Sequence, residues 1–314
     1  MAAALAVLLL WAAAAGRSET PARIPVTLAT ATAGGGFEAY GRALAEIINA
    51  ADPTLDVQPR PSLGSSENLA LLSARQVDLA LVTGEVTHEA FTAGGDAASG
   101  LRVLSVMYPS PGMFGVRADS PYRSIEDLKG KPVVFGARGS GLVVLARHVL
   151  DGLGLDMERD FQAILLERAE DGPAMVLDGR AAALWGGGVG WPPFVALARE
   201  GVRFIVPDDA AIGRIVARHG LLKELILPAH AYPGQTVPIK SVGTWSLILV
   251  RPGLDEALAY RLARALHRGE SALAQRLPRA RESTAVNTVA AVPVSRLHPG
   301  VFRYLGEAGL VKLE

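Results

Sequence analysis

Two glycine-rich loops, about a hundred residues apart, place the strongest constraint on how this chain can fold. They span 29–36 and 136–141, and each lies between a short apolar stretch typical of a strand and a segment of helical periodicity. A helix that begins at such a loop leaves its first N–H groups without partners, and its dipole adds positive charge there. Such a place binds anions, carboxylates included. One loop alone would be explained by a tight turn, but the matched pair favours two lobes that face one ligand.

The predicted strands and helices alternate, and their order repeats. Residues 24–83 and residues 132–186 both read as strand, glycine loop, helix, strand, helix, strand. Alternation of this kind indicates mostly parallel sheets covered by helices, with ligands at the carboxyl ends of the strands. We therefore predict an α/β fold of two lobes, with mostly parallel sheets and with a ligand cleft and a hinge between the lobes.

The order of the elements also predicts how the chain divides. Lobe 1 is expected to comprise 21–118 and 243–314, and lobe 2 to comprise 119–242. An apolar strand near 244–250 would return the chain to lobe 1, so that two crossings form the hinge. Before the first crossing, two separate strands, 101–107 and 113–116, are predicted to flank Tyr108 and Pro109.

Composition excludes several classes of protein. The 314 residues include 31 basic and 31 acidic side chains and no cysteine. This length fits two domains or one large domain. Charge balance argues against a nucleic-acid partner, and the absence of cysteine removes disulfides and zinc–thiolate sites. We expect a monomer that binds no metal and no cofactor.

The N-terminus indicates export. Residues 1–15 carry no charged side chain, and the apolar run 5–11 is too short to span a bilayer comfortably. A small-residue site at 13–15 follows, so we predict a signal peptide at 1–15 and a periplasmic protein. The usual basic start is missing, which leaves open an unusual signal, a misassigned start codon, an uncleaved anchor or a buried first helix.

Several segments together resemble one family, the TAXI solute receptors of TRAP transporters. The resemblance rests on the order and spacing of both glycine loops, 64–69 and 78–82, and it extends through 108–109, 116–120, 190–192, 232–235 and 297–300. It implies a type II periplasmic-binding fold, an organic acid or amino acid as ligand, and ion-driven TRAP membrane subunits as partners. Thr83 and Glu85 stand where the family often has glutamine and aspartate, and Arg138 stands where proline is common.

The candidate ligand-binding residues come from the loops and from the strand ends. They are Thr30, Thr32, Gly34, Gly35, Phe37, Glu38, Ser65, Ser66, Thr83, Glu85, Arg138, Gly139, Ser140, Gly141 and Trp191. Ser140 and the N–H groups beside it form the best carboxylate cradle, and Arg138 would pair with a carboxylate. A glutamate at 38 or 85 together with Arg138 would suit a zwitterion such as an amino acid.

Simpler structural roles compete with these assignments. Thr30 and Thr32 would equally cap the turn, and Ser65 or Ser66 is a natural helix N-cap. Arg138 and at least one of the two glutamates would otherwise face solvent. Trp191 follows a glycine run beside the expected hinge, where packing in the core is an alternative to covering a ligand.

The sequence favours binding over catalysis. It contains no Gly-Lys-Ser/Thr phosphate loop, no Gly-x-Ser-x-Gly elbow and no His-Glu-x-x-His zinc motif. We expect a non-enzymatic extracytoplasmic receptor that binds a small carboxylate-bearing solute by lobe closure and delivers it to TRAP-type subunits. A periplasmic sensor that presents its bound state to a signalling partner is the alternative, because it also needs a closing cleft.

Overall fold

The computed structural model describes residues 22–93 and 100–312. The predicted signal peptide lies outside these residues. Among the helices of the described part, none is long and apolar enough to cross a membrane.

Strands and helices alternate through most of the described chain, as the sequence predicted. The strands are β1 Ile24–Ala29, β2 Leu55–Arg60, β3 Leu79–Thr83, β4 Arg102–Arg117, β5 Pro132–Ala137, β6 Gln162–Leu166, β7 Ala183–Gly187, β8 Val202–Ile205, β9 Lys223–Leu227 and β10 Ile239–Val250. The α-helices are α1 Gly36–Ala51, α2 Ser65–Ser73, α3 Gly84–Ala93, α4 Gly141–Gly152, α5 Met157–Asp160, α6 Gly172–Leu177, α7 Pro192–Arg199, α8 Asp209–Arg218, α9 Glu256–Arg276, α10 Ala285–Ala291 and α11 Pro299–Glu307.

Each lobe is built on one strand with a parallel neighbour on either side. β1 pairs in parallel with β2 and β3, and β5 pairs in parallel with β6 and β7. In both triplets the strand that comes first in the chain lies in the middle. The repeated order and the two-lobed α/β fold predicted from it are therefore confirmed.

Two long strands, β4 and β10, connect the lobes. They pair antiparallel with each other over most of their length. The last part of β10 also pairs with β3, and the last part of β4 pairs with β7. β9 and β8 add to β10 and β4 on the side of the second lobe. The crossing strands therefore join both parallel triplets into one continuous path of paired strands.

The prediction of two separate strands around Tyr108 and Pro109 is wrong, because β4 continues through both residues. A proline cannot donate a hydrogen bond to a strand ladder, which is why the sequence indicated a break there. Pro109 and Pro111 lie opposite Trp245 and Gly243 of β10. Just after these prolines, β4 leaves its partners in lobe 1 and pairs with strands of lobe 2. The N–H groups that the two prolines lack are therefore missing at the junction between the lobes.

Apolar side chains form separate cores on either side of this junction. The buried residues of one core come from 26–108 and 248–305, whereas those of two further clusters come from 113–242. We use lobe 1 and lobe 2 for these two parts of the structure. The predicted boundaries at 118/119 and 242/243 stay predictions.

Close contact of the crossing strands depends on a glycine. A Cβ added at Gly243 would lie 2.1 Å from the carbonyl oxygen of Ser110. We therefore expect Gly243→Ala to lower the free energy of unfolding by about 1–3 kcal/mol, measured by urea denaturation. Gly213→Ala is the matched control, because Gly213 lies in α8 with no atom near its added Cβ, and it should stabilise by roughly 0.5–1 kcal/mol. Equal stability of the two variants would contradict tight packing at the crossing.

Candidate functional site

A cleft lies between the lobes at the carboxyl ends of β1, β3, β5 and β7. It encloses about 660 Å³ of empty space, its opening to solvent included. The space open to the centre of a water molecule is only about 60 Å³. One water needs roughly 10–15 Å³ of such space, so in this arrangement the cleft fits a small molecule of several heavy atoms.

Three helices begin at the wall of this cleft. The residues that cap or begin α1, α2 and α4 all line it, namely Gly35, Gly36, Gly64, Ser65, Ser140 and Gly141. The caps of α1 and α2 are glycines that provide no side-chain hydrogen bond, whereas the Ser140 hydroxyl accepts from the Leu142 N–H at 3.2 Å. Three helix N-termini directed at one small space give it a positive potential that favours an anion.

The lobes touch each other directly beside these helix starts. The Ser66 N–H of lobe 1 donates to the Gly139 carbonyl of lobe 2 at 3.4 Å. Gly64 has φ +123°, and a Cβ there would lie 2.9 Å from the same carbonyl oxygen. A Cβ at Gly141 would lie 2.1 Å from Thr83 Oγ1. The structure therefore has the lobes closed, and glycine is required at both contacts.

Arg279 is the charged residue of the cleft. It belongs to the short 3-10 helix Pro278–Glu282 after α9 and is only 7% exposed. Its guanidinium donates to the Gly190 carbonyl of lobe 2 and lies 5.9 Å from the centre of the Tyr108 ring. Within the described ranges it forms no ion pair. Burial raises the pKa of Tyr108, and the nearby Arg279 charge opposes that shift.

Sequence reasoning missed Arg279 for an identifiable reason. It stands among other arginines, Arg276 and Arg281, in a stretch that is typical of a solvated surface. Its burial results from contacts with Gly190 and Tyr108, which are far away in the chain. No local pattern would have separated it from its neighbours.

A cross-strand pair of hydroxyls forms another part of the wall. Thr83 of β3 and Ser246 of β10 lie directly opposite each other, and both line the cleft. They are 7% and 1% exposed, and neither hydroxyl oxygen has a hydrogen-bond partner among the described residues. Ser246 is a second functional candidate that the sequence did not reveal, because its position depends on the register of β10 against β3.

The structure brings eight of the predicted residues to the cleft, namely Thr32, Gly35, Phe37, Ser65, Thr83, Ser140, Gly141 and Trp191. Trp191 packs edge-on against Phe194 with ring centres 4.9 Å apart and also lines the cleft, so its role in covering a ligand stays a prediction. The expectation that Ser65 or Ser66 caps α2 is wrong. Gly64 is the cap, and the Ser65 hydroxyl instead accepts from the Thr83 N–H at 3.1 Å.

Three predicted residues contribute to closure and do not line the cleft. Gly34 packs against Glu170 of the other lobe, where a Cβ would lie 2.4 Å from the Glu170 Cβ. Ser66 and Gly139 form the backbone contact between the lobes. Thr30 also lies outside the lining, and its hydroxyl donates to the Arg60 carbonyl at 3.1 Å.

The charged residues that were predicted for the site form ion pairs or hydrogen bonds outside the cleft lining. Arg138 is well exposed and pairs with Glu167 at 3.6 Å, and Glu38 pairs with Arg42 on α1. Glu85 is fully buried and accepts from the Thr244 hydroxyl at 2.8 Å. Burial raises the pKa of Glu85, which outweighs the opposing effect of its hydrogen bonds. None of these three side chains lines the cleft, so their part in ligand binding stays a prediction.

Across 22–93 and 100–312, no three histidine or carboxylate side chains are grouped so that they could hold a metal ion.

Several solved structures have a similar fold. The substrate-binding protein of an amino acid ABC transporter matches with a TM-score of 0.50 and 12% identity, over 82% of this chain and 99% of that one. A protein from Bordetella bronchiseptica matches with a TM-score of 0.58 and 16% identity over 91% and 98%. A TctC solute-binding protein from Polaromonas matches with a TM-score of 0.51 and 17% identity over 93% and 100%. The fold is the two-lobed fold of solute-binding proteins.

The family follows from a separate match. The model of the NMT1-like family matches residues 28–309, so the chain belongs to that family.

Closure of the cleft should be sensitive to one added methyl group. We expect Gly141→Ala to weaken ligand binding at least about tenfold, because the new Cβ would meet Thr83 and hold the lobes apart. Titration calorimetry with a ligand identified by thermal shift would measure this loss. Gly213→Ala, remote from the cleft, should bind normally. Full affinity in Gly141→Ala would contradict the closed arrangement as the binding state.

Proposed function

We propose that this chain is an extracytoplasmic receptor that binds a small carboxylate-bearing solute, an organic acid or amino acid, by closing its lobes. The observation that carries the proposal is Arg279, a buried guanidinium without an acidic partner in the described structure that lines the cleft. Burying a charge without a counter-charge is costly. A carboxylate in the cleft would supply the missing partner.

Backbone electrostatics support the same ligand class. The start of α1 lies next to Arg279, since a Cβ at Gly36 would come within 2.8 Å of a guanidinium nitrogen. Two further helix starts face the same space. Their free N–H groups and dipoles stabilise negative charge, and a planar guanidinium can hold a carboxylate through two hydrogen bonds.

The mechanism that follows is closure around the ligand. Arg279 is in lobe 1 and donates to the Gly190 carbonyl in lobe 2, so one side chain contacts both the cleft and the opposite lobe. A ligand that binds the start of α1 in lobe 1 receives further hydrogen bonds from the start of α4 only when the lobes meet. Such a ligand favours the closed state, which a membrane partner can recognise.

The finer assignment rests on the sequence resemblance. It supports a TAXI-type receptor in the periplasm, exported by residues 1–15, that delivers its ligand to TRAP-type membrane subunits. An ATP-driven partner is the alternative, supported by the similar fold of a receptor from an amino acid ABC transporter. A sensory role is the other alternative. Genes for TRAP subunits, ABC subunits or a histidine kinase beside the coding gene would distinguish the three.

A thermal-shift screen tests the receptor function. Protein that begins at residue 16, stripped of bound ligand, is heated with monocarboxylates, hydroxy acids, oxo acids, amino acids and dicarboxylates. A ligand at one hundred times its dissociation constant adds roughly 2.7 kcal/mol of stability. We expect a concentration-dependent rise in Tm with at least one carboxylate class. No shift with any class, for protein shown to be folded, would contradict a carboxylate receptor.

Comparison of two arginine variants tests the site. Arg279→Ala should weaken binding of the active acid at least about tenfold, because a buried charge-assisted hydrogen bond is lost. Arg279→Lys should recover only part of the affinity, since an ammonium lacks the planar geometry. Arg138→Ala is the matched control and also tests the role that the sequence predicted for Arg138. A larger loss in Arg138→Ala than in Arg279→Ala would restore Arg138 as the ligand partner.

A further inference from the structure

The unpaired hydroxyls of Thr83 and Ser246 restrict the ligand class further. We propose that they bind a neutral oxygen of the ligand, so that the solute is a small monocarboxylate bearing a hydroxyl or carbonyl group. This inference rests on the proposed receptor function. It assigns the carboxylate to the Arg279 side of the cleft and the neutral oxygen to the hydroxyl pair.

The geometry of the pair supports a shared ligand atom. Directly opposite residues of antiparallel strands have side chains on the same face and Cβ atoms about 4.5–5.5 Å apart. Both hydroxyls are buried in the cleft wall and lack partners in the described structure. A buried hydroxyl without a partner is destabilising, and a ligand oxygen between the two would satisfy both.

Lobe 2 closes over this pair. Gly141, the first residue of α4, approaches Thr83 so closely that an added Cβ would lie 2.1 Å from its Oγ1. The same Cβ would lie 2.8 Å from the Ser65 Oγ, whose hydroxyl already accepts from the Thr83 N–H. The start of α4 therefore covers the hydroxyl pair in the closed arrangement and brings it into contact with lobe 2.

The charges around the pair favour a neutral group. Of the described residues that line the cleft, Arg279 alone has a charged side chain. It lies beside Gly36 and Tyr108, whereas Gly141 and Ser65 adjoin the hydroxyl pair. Two of the N–H donors at the starts of α2 and α4 are already used, since the Leu142 N–H bonds to Ser140 and the Ser66 N–H bonds to Gly139, which leaves fewer for a second carboxylate. A second carboxylate would meet no cation.

An ammonium group is also poorly matched. The nearest carboxyl in sequence, Glu85, does not line the cleft; it accepts a hydrogen bond from Thr244 and lies near the Thr83 side chain. Because burial raises the pKa of Glu85 and so opposes its charged form, this carboxyl is a poor counter-charge for an ammonium at the hydroxyl pair. Hydroxy and oxo acids need no such charge, and they fit the small volume of the closed cleft.

Matched small acids test the inference. Calorimetry on protein that begins at residue 16 would compare lactate and pyruvate with propionate, alanine and malonate, which have the same number of carbon atoms. We expect lactate or pyruvate to bind at least about tenfold more tightly than propionate, since a site built to bond an oxygen discriminates strongly against its absence. Alanine and malonate should bind more weakly still.

Variants assign the selectivity to the hydroxyl pair. Ser246→Ala and Thr83→Val should reduce the preference for lactate or pyruvate over propionate to less than about threefold, while affinity for propionate is kept. Thr83→Ser keeps the hydroxyl and should keep the preference, which separates chemistry from folding. Ser120→Ala is the control, because the Ser120 hydroxyl also lacks a described partner but does not line the cleft.

The outcomes separate this inference from the receptor function. Equal affinity for lactate, pyruvate and propionate, or tightest binding of alanine or malonate, would overturn the inference and leave a carboxylate receptor. An unchanged preference in both Ser246→Ala and Thr83→Val would remove the pair from the site. Binding of none of these acids, nor of any carboxylate in the wider screen, would overturn the receptor function and the inference with it.

Discussion

The hydrogen-bonded ladder between β4 and β10 is the interaction on which the rest of the structure depends. Each strand begins among the partners of one lobe and ends among those of the other, so that the paired strands of the two lobes form one continuous path. The ladder fixes where the glycine loops of the two lobes face each other. It also places Ser246 opposite Thr83 at the cleft. The register of this ladder therefore determines both how the two lobes meet and which side chains line the cleft.

The glycine loops also depend on how closely the crossing strands bring the two lobes together. Helix starts become a binding surface only if backbone atoms of the two lobes can approach, which requires residues without side chains at the contact. Gly64 against Gly139 and Gly141 against Thr83 meet that requirement. The resulting space combines helix dipoles from both lobes with one buried guanidinium, and the two lobes meet directly beside it. In such a space each polar contact is stronger than at an open surface.

Local sequence patterns were sufficient to predict the architecture, but they predicted only part of the candidate site. The repeated strand, loop and helix order predicted both triplets of strands, because periodicity and glycine positions are local signals. Pro109 indicated a break that the ladder overrides, and Ser65 resembled a cap although its hydroxyl serves Thr83. Arg279 and Ser246 reach the cleft through contacts between distant parts of the chain. Single-sequence patterns carry no information about such contacts.

The backbone contact between Gly64 and Gly139 separates two properties that are often linked. This contact relies on main-chain atoms and on the absence of side chains, whereas the chemistry of the cleft relies on side chains from β3, β10 and the segment after α9. A substitution at Ser246 can change which molecule fits without altering the contact between Gly64 and Gly139, whereas Thr83 and Arg279 belong to the cleft and also contact lobe 2. In such a scaffold the chemistry of the cleft can vary during evolution while this main-chain contact between the lobes stays the same.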